Sequence, residues 1–295
     1  MRLLSSRSDS GEILGIVEAG RWLPAATVLA GGPRTIADLF AAGPDGLVAL
    51  RDAATTARIA ELGQPIAGAD LLAPVPRPGK VVAIGRNYRE HAEEEGVEPP
   101  PAPLIFSKWP SCVVGPGAEI RWDPGLTAQV DYEAELAVVI GSRTRRVPAA
   151  EALDHVLGYT CLNDVSARDL QFGDGQWARG KSLDTFCPMG PVVVTADELG
   201  DPQDLAIRCS VDGEVLQDAR TSQMYFSVAE IISHCSMAFT LEPGDIVATG
   251  TPSGVGVFRK PPRFLAEGDR VSVEIEGIGV LENVCRFEAA TETAA

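Results

Sequence analysis

The stretch that decides the fold is DYEAELAVVIG, from Asp131 to Gly141. Residues 136–140 form a continuous apolar run of the kind found in strands buried on both faces. Because residues i and i+2 of a strand point to the same side, Glu133 and Glu135 project together where this strand begins. Two carboxylates entering a buried strand are costly unless a cation neutralises them, and a divalent metal ion does this well.

A third acid lies at the end of another apolar run. Asp164 follows residues 157–162 and Asn163, which places it at the mouth of a second strand. Three carboxylates suit Mg²⁺ or Mn²⁺, which keep water in the positions where a substrate can chelate. The pair Glu133 and Glu135 alone favours an exposed strand face, because most such pairs are solvated. The metal interpretation therefore depends on the residues that accompany it.

Strand patterns dominate the chain around this stretch and beyond it. A buried strand is predicted at 80–84 and a short helix at 88–95. Asp212-Gly213 predicts a hairpin turn, and residues 228–239 predict an amphipathic helix. The further predicted strands are 104–106, 136–140, 157–162, 192–194, 207–211, 246–248 and 271–275. The small, polar tail from Ala289 predicts no regular structure.

The first segment has a different character. Ala19-Gly20 lies between two short strand patterns and predicts a hairpin, and helical spacing over 35–42 and 45–62 ends at Gly43 and Gly63. Prolines at 74, 76 and 78 predict a stiff connector. We predict two domains, a small N-terminal α/β domain over residues 1–75 and a metal-dependent catalytic domain over 76–295.

Composition limits the partners. The chain has 295 residues, a formal charge of −16 and a pI near 4.6. Such a surface repels nucleic acid and anionic lipid, so neither is an expected partner. With no apolar run of 18 residues and no leader-like start, we expect a cytoplasmic protein without a membrane span. Six scattered cysteines predict buried free thiols rather than a disulfide framework or a zinc site.

The segment after the 80–84 strand contains a candidate base. His91 and Glu94 are three residues apart, so a helix would place them on one face, where the carboxylate orients the imidazole for proton transfer. The competing interpretation is a surface helix with a scattered histidine. Glu90, Glu93, Glu94 and Glu95 have the character of a solvated face.

Two glycine-rich stretches are candidate anion-binding loops. Residues 175–182 match G-x-x-x-x-G-K-S, but no buried strand precedes the match and Pro188 would cut a following helix short, so we interpret it as accidental. Lys181 remains a candidate cation for an enolate or carboxylate oxygen. Residues 249–256 follow a strand, and the Thr251 hydroxyl could hold a carboxylate; a plain turn is the alternative.

Together these stretches resemble the fumarylacetoacetate hydrolase family, closest to its domain-containing-protein subgroup. The matching segments are KVVAIGRNYREHAEE, PLIFSK, VDYEAELAVVIG, GYTCLNDVSARDLQ, WARGKSLDTFCPMGP, PGDIVATGTPSGVG and VGVFRKPPRFLAEGD. The resemblance implies an α+β, mostly β fold, a mixed β-roll with flanking helices, in a homodimer. It also implies Mg²⁺, sometimes Mn²⁺ or Ca²⁺, as the metal.

The resemblance assigns roles to single residues. The family's metal ligands fall on Glu133, Glu135 and Asp164, and its His–Glu dyad falls on His91 and Glu94. Its lysine falls on Lys181, its carboxylate-binding threonine on Thr251, and a substrate contact on Arg86.

The reactions of this family pass through a metal-chelated enolate of a short oxo acid. We expect oxaloacetate tautomerisation or decarboxylation, with C–C hydrolysis of an acylpyruvate or fumarylacetoacetate-like acid as the alternative. A non-catalytic protein with a structural cation is the alternative from another class, and the intact His91, Glu94 and Lys181 argue against it.

Overall fold

Strands outnumber helices in the computed structural model, which describes residues 1–9 and 11–288. The prediction for the tail from Ala289 concerns residues outside this range. The strands are β1 (Arg2–Ser8), β2 (Gly11–Glu18), β3 (Arg21–Pro24), β4 (Gln64–Pro65), β5 (Leu71–Leu72), β6 (Val81–Gly85), β7 (Leu104–Lys108), β8 (Val113–Val114), β9 (Glu119–Trp122), β10 (Val130–Asp131), β11 (Ala134–Ile140), β12 (Val156–Asn163), β13 (Ser166–Ala167), β14 (Cys187–Thr195), β15 (Ala206–Val211), β16 (Glu214–Arg220), β17 (Ile246–Ala248), β18 (Arg270–Ile275) and β19 (Gly279–Phe287).

The helices are short apart from two. They are α1 (Ala25–Val28), α2 (Ile36–Ala54), α3 (Ile59–Leu62), α4 (Arg89–Glu95), α5 (Ala149–Ala152), α6 (Arg168–Asp174), α7 (Ala196–Leu199) and α8 (Val228–Ala238). The two helices predicted over 35–42 and 45–62 differ from the structure. They are joined as α2 across a bend at Gly43, and the second ends at Ala54. Arg58 then adopts a left-handed conformation (φ 52°), which separates α3 from it.

Strand β11 lies inside the main sheet, and all seven of its residues are buried. Its continuous apolar run lets it sit between two neighbours with both faces covered. The sheet follows the order β4-β3-β2-β1-β14-β12-β11-β17-β6-β7, with β5 paired to β1 and β8 to β14. Most pairs are antiparallel, but β17 runs parallel to β6 and β14 parallel to β8, so the sheet is mixed.

The register of the central strands brings several loops to one edge of this sheet. Ala134 of β11 pairs with Asn163 of β12, so the start of one strand meets the end of the other. Strand β17 runs antiparallel to β11, and its neighbour β6 runs parallel to β17. The segments that follow β12, β17 and β6 therefore emerge together beside Glu133 and Glu135.

A second sheet packs against the first. It has the order β16-β15-β18-β19-β9, and the turn between β15 and β16 contains Asp212 and Gly213, both with positive φ, as the hairpin prediction requires. Strands β14 and β12 contact β19 and β18 of this second sheet. The predicted architecture, mostly β with mixed sheets, is confirmed.

The first segment joins the main sheet directly. The predicted hairpin forms from β2 and β3, with Ala19 and Gly20 at positive φ. Strand β1, which the sequence analysis did not predict, pairs with both β2 and β14. The division into domains at residues 75 and 76 stays a prediction.

Two expectations from composition can be compared with the described residues. All six cysteines are buried and free, which confirms the prediction of isolated thiols. No helix in residues 1–9 and 11–288 combines the length and apolar character needed to cross a bilayer.

Candidate metal centre and substrate pocket

The three predicted metal ligands converge at the shared edge of β11 and β12. One oxygen from each of Glu133, Glu135 and Asp164 lies within 4.8 Å of the others, and all three side chains are buried. The convergence follows from the register, because Asp164 N–H donates to the carbonyl of Glu133 across the end of the strand pair (2.9 Å).

Three buried cations surround these acids. Lys181 Nζ lies 2.7 Å from Glu133 Oε2 and 2.9 Å from Asp164 Oδ2. Lys108 Nζ lies 2.6 Å from Asp164 Oδ1 and also donates to the Lys181 carbonyl. Arg168 Nη1 lies 2.7 Å from Glu133 Oε1. The cluster therefore offsets the cost of burying Glu133 and Asp164 by placing positive charge next to both carboxylates.

The two glutamates of the triad differ in their proton affinity. Burial would raise the pKa of Glu133, but Lys181 and Arg168 outweigh it and lower that pKa to about 2. Burial raises the pKa of Glu135 well above its ordinary value, and the neighbouring Asp164 and Glu133 carboxylates raise it further. Among the described residues Glu135 is thus the member of the triad without an ion pair, and the Lys181 charge offsets its burial only in part.

The free oxygen of Glu135 fits a divalent cation. Its Oε2 accepts a hydrogen bond from the Gly250 N–H (2.9 Å), whereas Oε1 is buried without a partner among the described residues. A buried carboxylate oxygen without a donor costs free energy, and a cation facing the triad would remove that cost. Glycine is needed at position 250, because φ is +101° and a Cβ there would lie 2.7 Å from Asn87 Cβ.

Helix α4 carries the candidate base. His91 Nδ1 lies 3.4 Å from Glu94 Oε2, a long contact that depends on the tautomer, and His91 is 7% exposed. The Gly254 N–H donates to both Glu94 oxygens (3.1 and 3.2 Å), so the loop after β17 fixes the carboxylate. The structure therefore brings together a histidine and its orienting acid beside the acidic triad.

A pocket of about 400 Å³ connects these groups. Its walls include both predicted substrate contacts, Arg86 and Thr251, together with His91 and Lys181. Its remaining lining residues are Ile84, Gly85, Glu95, Phe106, Glu133, Glu135, Arg168, Gln171, Phe172, Trp177 and Phe258. Three cationic side chains of the lining face three carboxylates, so a bound divalent ion would supply the net positive charge that an anionic substrate requires inside a negative surface.

The loop residue Thr251 is held by a side chain from the second sheet. Its Oγ1 accepts a hydrogen bond from Gln217 Nε2 (2.8 Å), and Gln217 also donates to the Pro252 carbonyl (2.8 Å). The Thr251 hydroxyl hydrogen therefore remains available to an acceptor in the pocket.

Several residues of the site were not found by sequence reasoning. Lys108 and Arg168 lie within the family-like segments PLIFSK and GYTCLNDVSARDLQ, but the sequence predicts no role for either. Trp177 packs edge-on to Phe106 with ring centroids 5.3 Å apart and forms one wall. Glu95 was interpreted as a solvated acid, and the structure corrects this, because its carboxylate is paired with Arg86 and is 15% exposed. The buried Lys108 contacts Asp164, which is 56 positions away in the sequence, so no local sequence pattern indicates this contact.

The G-x-x-x-x-G-K-S match has no phosphate-loop geometry. It follows helix α6 rather than a strand, and no helix follows it before β14 in the described chain. This agrees with the interpretation of the match as accidental. Lys181 is the one residue of the match that points into the acidic cluster with its ammonium group.

Comparison with known proteins places these features in context. Residues 80–286 match the fumarylacetoacetate (FAA) hydrolase C-terminal family. A bovine protein, the mitochondrial oxaloacetate tautomerase FAHD2A, is 46% identical over 277 residues, 93% of this chain and 85% of its own length. The oxaloacetate tautomerase YisK of Bacillus subtilis is 48% identical over 216 residues, 72% of each chain. The solved fumarylacetoacetate hydrolase of Exiguobacterium antarcticum superposes with a TM-score of 0.84 at 37% identity, covering 98% of this chain and 100% of that one.

Proposed function

The chain belongs to the fumarylacetoacetate hydrolase family, and from this premise we propose that it interconverts the keto and enol forms of oxaloacetate. It is an enzyme of that family, which uses a divalent metal. One observation carries the proposal: two of the three acids line a single pocket together with His91, Lys181 and two groups suited to carboxylates, Arg86 and Thr251. Asp164 lies beside the two acids, and Glu94 contacts His91. A purely structural cation would need neither the histidine, the lysine nor the two carboxylate-binding groups.

We propose Glu133, Glu135 and Asp164 as the metal ligands, with Mg²⁺ as the ion because three carboxylates suit a small, hard cation. The bound ion would polarise the 2-oxo group and make the hydrogens on C3 more acidic. The support from this chain is the partnerless Oε1 of Glu135 in a buried, acid-rich corner.

In this proposal two residues of helix α4 carry out the proton transfer. His91 removes a proton from C3, and Glu94 stabilises the imidazolium that forms. The same proton then passes to the 2-oxygen, which completes the enol and returns His91 to its neutral form. Lys181 neutralises the negative charge that develops on the oxygen between these two steps.

Two further residues hold the substrate. We propose that the Thr251 hydroxyl donates to the carboxylate next to the 2-oxo group and that Arg86 binds the distal carboxylate. Half-buried guanidinium groups are well suited to planar carboxylates, since their N–H donors match the two oxygens.

Hydrolysis of a C–C bond in an acylpyruvate or fumarylacetoacetate-like acid is the second candidate. The His91–Glu94 pair favours it equally, because an oriented imidazole can activate a water molecule as well as a carbon acid. The two activities differ in whether a C–C bond of the substrate is broken with the uptake of water.

The deciding experiment follows the purified protein with Mg²⁺ by proton NMR, with oxaloacetate, acetylpyruvate and fumarylacetoacetate supplied separately. Faster exchange between keto and enol oxaloacetate than Mg²⁺ alone produces is the expected result. Cleavage of acetylpyruvate or fumarylacetoacetate, with no acceleration on oxaloacetate, would instead establish the hydrolase.

We propose a cytoplasmic homodimer in which residues 76–295 carry the chemistry. The formal net charge of −16 supports an enzyme that acts on a small molecule, because such a surface repels nucleic acid and anionic membranes. Sedimentation of the purified protein tests the dimer.

A further inference from the structure

The pocket contains an ion pair that no role above explains. Arg86 Nε lies 2.8 Å from Glu95 Oε2, and Arg86 Nη2 lies 2.6 Å from Glu95 Oε1. Both side chains line the pocket and are largely shielded, with 29% and 15% of their area exposed. The contact is therefore a two-point carboxylate–guanidinium pair, the strongest form that such pairs take.

The position of Arg86 is fixed from two other directions. Its backbone is left-handed (φ 57°), an uncommon state for a residue with a side chain. Its guanidinium lies over the ring of Trp177, 5.6 Å from the centroid. With the ring beside it and the backbone constrained, Arg86 cannot readily turn toward a second partner.

Glu95 therefore occupies the Nε and Nη2 edge of the guanidinium, an edge on which a substrate carboxylate could form two hydrogen bonds. Of the guanidinium nitrogens, Nε and Nη2 both donate to Glu95, and no other acceptor for Arg86 is found in residues 1–9 and 11–288. The pair is electrically neutral, so it offers little net attraction to a second carboxylate while Glu95 remains in place.

Glu95 is also connected to the candidate base through the chain. It is the last residue of α4, the seven-residue helix that holds His91 and Glu94. Gly96 follows in the left-handed conformation (φ 73°) and ends the helix. The loop after it, residues 96–103, contains no helix or strand, so Glu95 stands at the junction between this loop and the helix that carries the base.

We propose that Glu95 is an internal competitor for the distal carboxylate of the substrate. It holds Arg86 in the free enzyme and leaves it when a dicarboxylate enters, so it lowers the affinity for dicarboxylates without affecting monocarboxylates. The inference rests on the proposed function, because it takes Arg86 as the group that binds the second carboxylate. The opposite role, in which Glu95 only orients Arg86, predicts effects of the opposite sign.

The test uses two stable ligands that differ only by the distal carboxylate. Malate and lactate share the 2-hydroxy acid end, so calorimetric titration of each into the Mg²⁺-loaded protein isolates the contribution at Arg86. Glu95→Gln should bind malate about tenfold more tightly than the parent chain, because it removes a charge-assisted competitor. Its affinity for lactate should stay the same.

Two further variants keep the result specific. Glu93→Gln removes the same charge from an exposed position of the same helix and should leave both affinities unchanged. Arg86→Gln combined with Glu95→Gln should lose the gain for malate, because the donor itself is gone. Thermal unfolding of each variant establishes that the fold is retained, and Glu95→Ala serves as the second test if Glu95→Gln is unstable.

The outcomes separate this inference from the proposed function. Malate binding that is unchanged or weaker in both Glu95 variants would overturn the competitor role. A gain for malate in a protein that does not accelerate oxaloacetate tautomerisation would support the competitor role and reject the proposed reaction. Equal gains for malate and lactate would also overturn it, since the effect would then not involve the distal carboxylate.

Discussion

Replacing Lys108 with methionine tests whether the acidic cluster depends on its internal cations. Lys108 Nζ lies 2.6 Å from Asp164 Oδ1, and neither side chain has exposed area. Methionine keeps much of the volume and removes the charge, so Asp164 retains Lys181 alone. We expect the free energy of unfolding to fall by about 3 kcal/mol, the lower end of the cost of breaking a buried ion pair.

The same substitution should change the response to Mg²⁺. Because a positive charge beside the triad is lost, the ion should bind more tightly, and a tenfold gain in affinity would return about 1.4 kcal/mol at saturating Mg²⁺. Urea unfolding of both proteins, with and without Mg²⁺, measures the two effects together. Arg208→Met is the matched control, since its ion pair with Asp218 is about half exposed and should contribute less than about 1 kcal/mol.

Two results would refute this reasoning. A loss of stability no greater than that of the Arg208 control would mean that the Lys108 charge is not needed in the metal-free protein. Equal stabilisation of parent and variant by Mg²⁺ would mean that the ion does not bind next to Asp164.

Three other substitutions test single roles. Glu135→Ala should abolish turnover with little loss of stability, because it removes a buried carboxylate whose Oε1 has no partner in the described structure; activity that survives both this change and EDTA would contradict the metal site. His91→Ala should slow the reaction by about 10²–10⁴-fold while Mg²⁺ binding by calorimetry is unchanged, and the exposed His234→Ala should have no effect. Thr251→Val should raise KM about fivefold by losing one hydrogen bond, with kcat nearly constant and Thr251→Ser close to the parent; a fall in kcat alone would contradict a binding role.

The acidic triad could be predicted because its signals are local. Glu133 and Glu135 are two residues apart at the start of an apolar run, and strand geometry points the side chains of residues i and i+2 to the same face. Asp164 could be added because it follows a second apolar run. The pair His91 and Glu94 could be predicted for the same reason, because residues three apart in a helix lie on one face.

The buried cations could not be predicted in this way. Lys108 contacts Asp164 across 56 positions of sequence, and Arg168 contacts Asp131 across 37. A lysine after the run LIF and an arginine in a polar stretch have the composition of ordinary surface residues. Their burial depends on the acids that surround them, which only the three-dimensional pairing of strands brings near.

Strand β1 escaped prediction for a related reason. Its sequence RLLSSRS places serines where a strand pattern would show apolar residues. Ser5 and Ser6 are nevertheless buried, because their hydroxyls donate to the carbonyls of Pro74 and Asp70. A buried serine satisfied by distant backbone cannot be distinguished in sequence from a serine in a loop.

The pairing of β1 with β14 has a consequence for how the protein is made. Leu3 lies opposite Val193, so β1 meets this neighbour only after about 190 further residues have been made, or about 10–40 s at ordinary rates of synthesis. Until then the nascent β1–β2 hairpin keeps one open edge next to its apolar residues Leu3 and Leu4. Closure of the sheet is therefore a late event of biogenesis, and conditions that slow translation lengthen the time during which that edge can find the wrong strand.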